Sequence, residues 1–119
     1  MANKRDLKKL IRNTCGALAL DMILARESFN QIDRKAVHDI VLDAARLQGK
    51  TLRRVNFCYG RSLDSFEDYK AYKKARSAYY RQAYSTLLTD FNAEVAEIVK
   101  SMNAALPDEV RKAIKEAIS

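Results

Sequence analysis

The sequence predicts an all-α fold, a single-domain helical bundle of about four to five helices with one long central helix. Three observations carry that expectation. The 119 residues include only three Gly and one Pro, while Ala, Leu, Lys, Arg and Glu are plentiful, so local propensity favours helix along most of the chain. Apolar residues recur at steps of three and four, the spacing that gathers them on one helix face. The one segment that alternates like a strand has no second such run to pair with. The length is that of one domain, 1–119, and 48% apolar with 31% charged residues is a globular balance rather than a disordered one.

The first helix is expected to start at Asn3, whose side chain can accept a bond from a first-turn N–H, and to run towards Phe29. Leu7, Ile11, Thr14, Leu18, Met22, Ala25 and Phe29 share its inner face, which Leu10, Ala17 and Leu24 widen, so more than one neighbour is needed to cover it. Residues 30–33 read as a connection, with Asp33 as the next N-cap. The second helix carries Val37, Ile40, Val41, Ala44 and Leu47 inward and is expected to stop at Gly49. Residues 51–60 fit either period, since Val55, Phe57 and Tyr59 alternate while Leu52, Val55 and Tyr59 keep helical spacing. A short helix is preferred because a lone strand leaves its backbone groups unpaired.

Ser65 followed by Asp68 approximates a capping box. From Phe66 to Met102 runs the longest periodic pattern, through Tyr69, Tyr72, Tyr80, Leu87, Phe91 and Ile98. Unbroken, it would be about 55 Å long, against a diameter of about 35 Å for a compact domain of this size. A break or bend is therefore expected between Thr89 and Asn92, where Thr89, Asp90 or Asn92 can cap a new helix. Pro107 followed by Asp108 and Glu109 marks the start of the last helix, with Val110, Ala113, Ile114 and Ala117 on one face.

Charge gives the main functional lead. A net charge of +7 raises the prior for a polyanionic partner. Lys50, Arg53, Arg54 and Arg61 bracket a stretch without an acid. Lys70, Lys73, Lys74, Arg76 and Arg81 follow, interleaved with Tyr69, Tyr72, Tyr79, Tyr80 and Tyr84, and cations beside stackable rings are the ingredients of single-strand binding. Helical geometry sets the tyrosines on one side and Lys70, Lys74 and Arg81 on the adjacent one, so the rings are read as packing inward. Arg76 falls among them and needs a ring or an acid as partner. Lys4, Arg5, Lys8, Lys9 and Arg12 form a third basic cluster.

No catalytic, metal or cofactor signature is present. His38, Asp39 and Asp43 lack a zinc ligand set and read as solvated helix charges. Gly49-Lys50-Thr51 mimics only the end of a phosphate-binding loop. Cys15 and Cys58 read as reduced thiols, no stretch is apolar enough to span a bilayer, and the basic start lacks the apolar run of a signal peptide, so a cytoplasmic protein is expected.

In its layout, with a first helix from Asn3, the junction Asp43-Ala44-Ala45-Arg46-Leu47-Gln48-Gly49-Lys50-Thr51-Leu52-Arg53-Arg54 and the tyrosine-rich long helix, the chain resembles small uncharacterised all-helical bacterial proteins. That resemblance implies no activity and no site residues. The leading expectation is a non-enzymatic helical binding or scaffold protein, self-associating through its long helix or with a protein partner. The alternative is a nucleic-acid-binding protein using the central basic clusters.

Overall fold

The computed structural model describes residues 4–118. Among them are four α-helices and no strand: α1 (Lys4–Ser28), α2 (Arg34–Arg54), α3 (Tyr69–Ala105) and α4 (Asp108–Ile118), with one 3₁₀ turn at Leu63–Ser65. The all-α bundle with one long helix is thus the observed class. The expectations for Asn3 and for the side chains of Ile114 and Ala117 fall outside the described residues.

Helices α1 and α2 form an antiparallel hairpin. Asp33 caps α2 as expected, its side chain accepting from the Lys35 N–H at 3.1 Å. Leu7, Ile11, Cys15 and Met22 of α1 meet Val37, Ile40, Ala44 and Leu47 of α2 in the core. Leu10, Ala17 and Leu24 do not widen that inner face. All three are exposed, because α1 is covered along one side only.

Two boundaries near Gly49 differ from expectation. Helix α2 passes through Gly49 and ends at Arg54, so residues 51–54 are its last turn and no separate short helix follows. The buried stripe explains this: Leu47, Thr51 and Val55 continue the spacing of four and are each at most 4% exposed. Their burial outweighs the roughly 1 kcal/mol that an interior Gly costs.

Helix α3 runs antiparallel to α2. Lys50 is paired with Glu94, and Arg54 with Asp90 at 3.0 Å, one turn further back along α3. These pairs are half-exposed and each contributes only about 0.2–1 kcal/mol, so they mark register more than they supply stability. The helix starts at Tyr69 rather than at the Ser65 box, with the Asp68 side chain accepting from the Ala71 N–H at 2.7 Å.

The expected break between Thr89 and Asn92 is absent, and α3 continues for 37 residues. Leu87 and Phe91 are buried on either side of the site, and the inner face continues through the half-buried Val95 to Ile98. Asp90, a candidate cap, faces Arg54 instead. The size argument failed because the molecule is elongated, 65 × 28 × 19 Å, and lets α3 extend past the end of α2. Helix α4 follows Pro107, with the Arg111 N–H donating to the Pro107 carbonyl and Val110 in the core.

Candidate functional site

The overhanging N-terminal half of α3 is covered by the connection from α2, and aromatic rings make that cover. Phe57 packs on Tyr80 with centroids 6.0 Å apart, and Tyr59 on Tyr79 at 5.2 Å and Tyr72 at 6.0 Å. Phe66 meets the edge of Tyr72 at 5.5 Å. The Tyr80 hydroxyl accepts the Tyr59 N–H at 3.2 Å, which ties the connection to the helix. Tyr72, Tyr79 and Tyr80 therefore pack inward against a loop rather than into the bundle core, whereas Tyr84, one turn on, packs against the core itself. All but the well-exposed Tyr69 are half-buried.

Cations close this cluster. Arg76, the cation without an obvious role in the sequence, lies 5.4 Å from the Tyr80 centroid, and Arg61 lies 4.4 Å from that of Phe66. The Lys4 ammonium donates to the Phe57 carbonyl and sits 5.0 Å from the Phe57 ring and 5.9 Å from Tyr80. Such contacts are worth about 0.5–1 kcal/mol each at exposed sites. Their geometric effect is larger, because Lys4 brings the start of α1 to the end of α2 and the flank of α3.

Three basic clusters that are distant in sequence thus meet at one end of the molecule. Segments 4–12 and 50–89 contain 14 of the 22 Lys and Arg residues but only four of the 15 acids. The remaining chain carries more acids than bases. Among the predicted basic residues, Lys50 and Arg54 are engaged by acids, and Arg61 and Arg76 by rings. Arg53, Lys70, Lys73, Lys74 and Arg81 are exposed and have no ion-pair partner among the described residues.

Lys70, Lys74 and Arg81 lie along one face of α3, at about 100° per residue. No acid lies within the first turn of that helix; the Asp68 carboxylate at its N-cap takes the positive dipole end. On the opposite face of α3, an open groove of about 320 Å³ between the end of α2 and α3 is lined by Arg54, Phe57, Tyr79, Gln82, Ala83, Thr86 and Leu87. Sequence reasoning missed Phe57 and Lys4 as organisers of this end, and only the basic character of residues 4–12 signalled that region.

Outside it, His38, Asp39 and Asp43 are exposed, and Asp43 faces Arg46 at 3.9 Å. Among the described residues no group of three or more His, Cys, Asp or Glu side chains is placed to hold a metal ion. No helix is long and apolar enough to cross a membrane. Cys15 is buried and Cys58 exposed, both as free thiols, and burial pushes the Cys15 thiol above its ordinary range. The chain matches no protein-family model, no curated protein and no solved structure.

Proposed function

We propose that this protein is a non-enzymatic helical binding protein whose ligand is the phosphate backbone of a nucleic acid, held at the basic end of the molecule. The observation that carries the reading is the gathering of three basic clusters at one end of an otherwise slightly acidic chain. Unpaired Lys and Arg on one helix face match the regular negative charge of a polynucleotide.

The aromatic cluster narrows the mode of binding. Base stacking needs free ring faces, whereas all of the clustered rings but the exposed Tyr69 already pack on one another, on Arg61 or on Arg76. Binding through the backbone, with little sequence preference, follows. The test is fluorescence anisotropy with a short labelled DNA duplex, titrated with salt, beside anionic phosphatidylserine vesicles. Duplex binding that weakens steeply with salt, together with clearly weaker vesicle binding, supports the reading. No duplex binding at low salt, or preference for the vesicles, overturns it.

A further inference from the structure

The outer side of α1 carries an apolar stripe that nothing in the chain covers. Leu10 is 46% exposed, Leu20 54%, Ile23 39% and Leu24 51%, and Ala17 between them is exposed as well. At 100° per residue the stripe lies almost diametrically opposite the row Leu7, Ile11, Cys15 and Met22 that packs on α2. Positions 10, 13, 17, 20, 24 and 27 alternate steps of three and four, the spacing of a helix-pairing seam.

Gly16 supplies an independent observation. It sits in the middle of a 25-residue helix, where glycine is the least favoured residue after proline. It has no positive φ, and a Cβ added there would meet nothing within 4 Å. Its missing side chain therefore serves no contact within this chain. It does open the surface to close approach by another helix.

From these features we infer that α1 pairs antiparallel with α1 of a second copy. Charge selects the second copy and the direction. The seam has Lys9 at its N-terminal end and Glu27 at its C-terminal end, both exposed and without an ion-pair partner among the described residues. Antiparallel pairing sets Lys9 of each copy against Glu27 of the other, whereas parallel pairing sets like charges together. The same register lays Leu20 over the partner's Gly16 and Ile23 over the partner's Asn13, large against small. The seam spans only about 27 Å of helix, so the interface is at the small end for a specific dimer and the association belongs in the micromolar range.

Sedimentation equilibrium from about 5 to about 500 μM, without nucleic acid, reads the association directly. A reversible dimer is expected. Leu20→Glu should raise its Kd by at least about tenfold while leaving the helical circular dichroism intact, because Leu20 is exposed in the single chain. Lys9→Glu and Glu27→Lys should each weaken it, and the double charge swap should restore it to within about threefold of the unaltered protein. A monomer at the highest concentration, a dimer indifferent to Leu20→Glu, or a charge swap that fails to restore affinity would each overturn the inference. No nucleic acid is present and Leu20 lies outside the basic clusters, so the loss of dimer in Leu20→Glu and the binding of nucleic acid at the basic end stand or fall separately.

Discussion

Neutralising Lys70, Lys74 and Arg81 together as Gln probes the basic end with the least disturbance of the fold. Their side chains share one face of the α3 overhang, are exposed and lack ion-pair partners among the described residues. Each phosphate contact contributes about 0.9 to the slope of log K against log salt on duplex DNA, so losing three lowers its magnitude by about 2.7. At about 0.1 M salt the same contacts account for about a 500-fold change in affinity, or about 4 kcal/mol. Stability should move the other way, because Lys70 stands in the first turn of α3 against the helix dipole. Its neutralisation should leave stability unchanged or raise it by up to about 1 kcal/mol. Anisotropy titrations at several salt concentrations give the slope, and urea denaturation gives the stability. Lys112→Gln with Lys115→Gln, exposed positions on α4 away from the basic end, is the control and should leave the slope unaltered. A slope that changes by less than about one in the triple variant refutes the assignment of this face to phosphate contact.

Three further outcomes follow from the fold. Asp68→Ala should cost about 0.5–2 kcal/mol in urea denaturation through loss of the α3 cap, while Ser65→Ala should cost far less; equal effects would show that the capping assignment is wrong. Tyr80→Phe should cost about 0.5–1.5 kcal/mol, since the Tyr59 N–H loses its acceptor, and an unchanged midpoint would mean that this bond does not hold the loop. Cys58 should react with a thiol reagent at once and Cys15 only on unfolding. Because the folded Cys15 thiol titrates above the ordinary value of 9.0, its contribution is complete below about pH 9 and is lost as the pH rises through the raised value. Stability of the parent protein should therefore fall faster above that pH than that of Cys15→Ala, and parallel curves would contradict the burial.

The parts of the fold that were legible in the sequence are those set by local chemistry. Asp33 and Pro107 marked real helix starts because a cap and a missing N–H act within one turn. Gly49 and the Thr89-to-Asn92 segment misled because their local signals compete with packing that sequence does not display. At Gly49 the burial of Thr51 and Val55 carries the helix onward, and at Asp90 the Arg54 guanidinium takes the carboxylate that would have capped a new helix. Periodicity placed Leu10 and Leu24 on an apolar stripe without saying how many neighbours α1 has. The basic residues of the candidate site were visible one by one. Their convergence was not, since it depends on Lys4 reaching Phe57 across more than fifty residues of chain.

The overhang of α3 divides one continuous helix into two regions of unequal protection. From Leu87 to Ile98 its inner face carries the buried side chains Leu87, Phe91 and Ile98 packed in the core, so the amides of that stretch exchange with solvent only when most of the molecule opens. Ahead of Leu87 the same hydrogen-bonded ladder is backed by a single aromatic loop, and its opening free energy is that of lifting the loop away. A polyanion lying along that half would slow exchange there first, and the boundary between slow and fast amides would then shift towards Tyr69 without any change in the position of the helix.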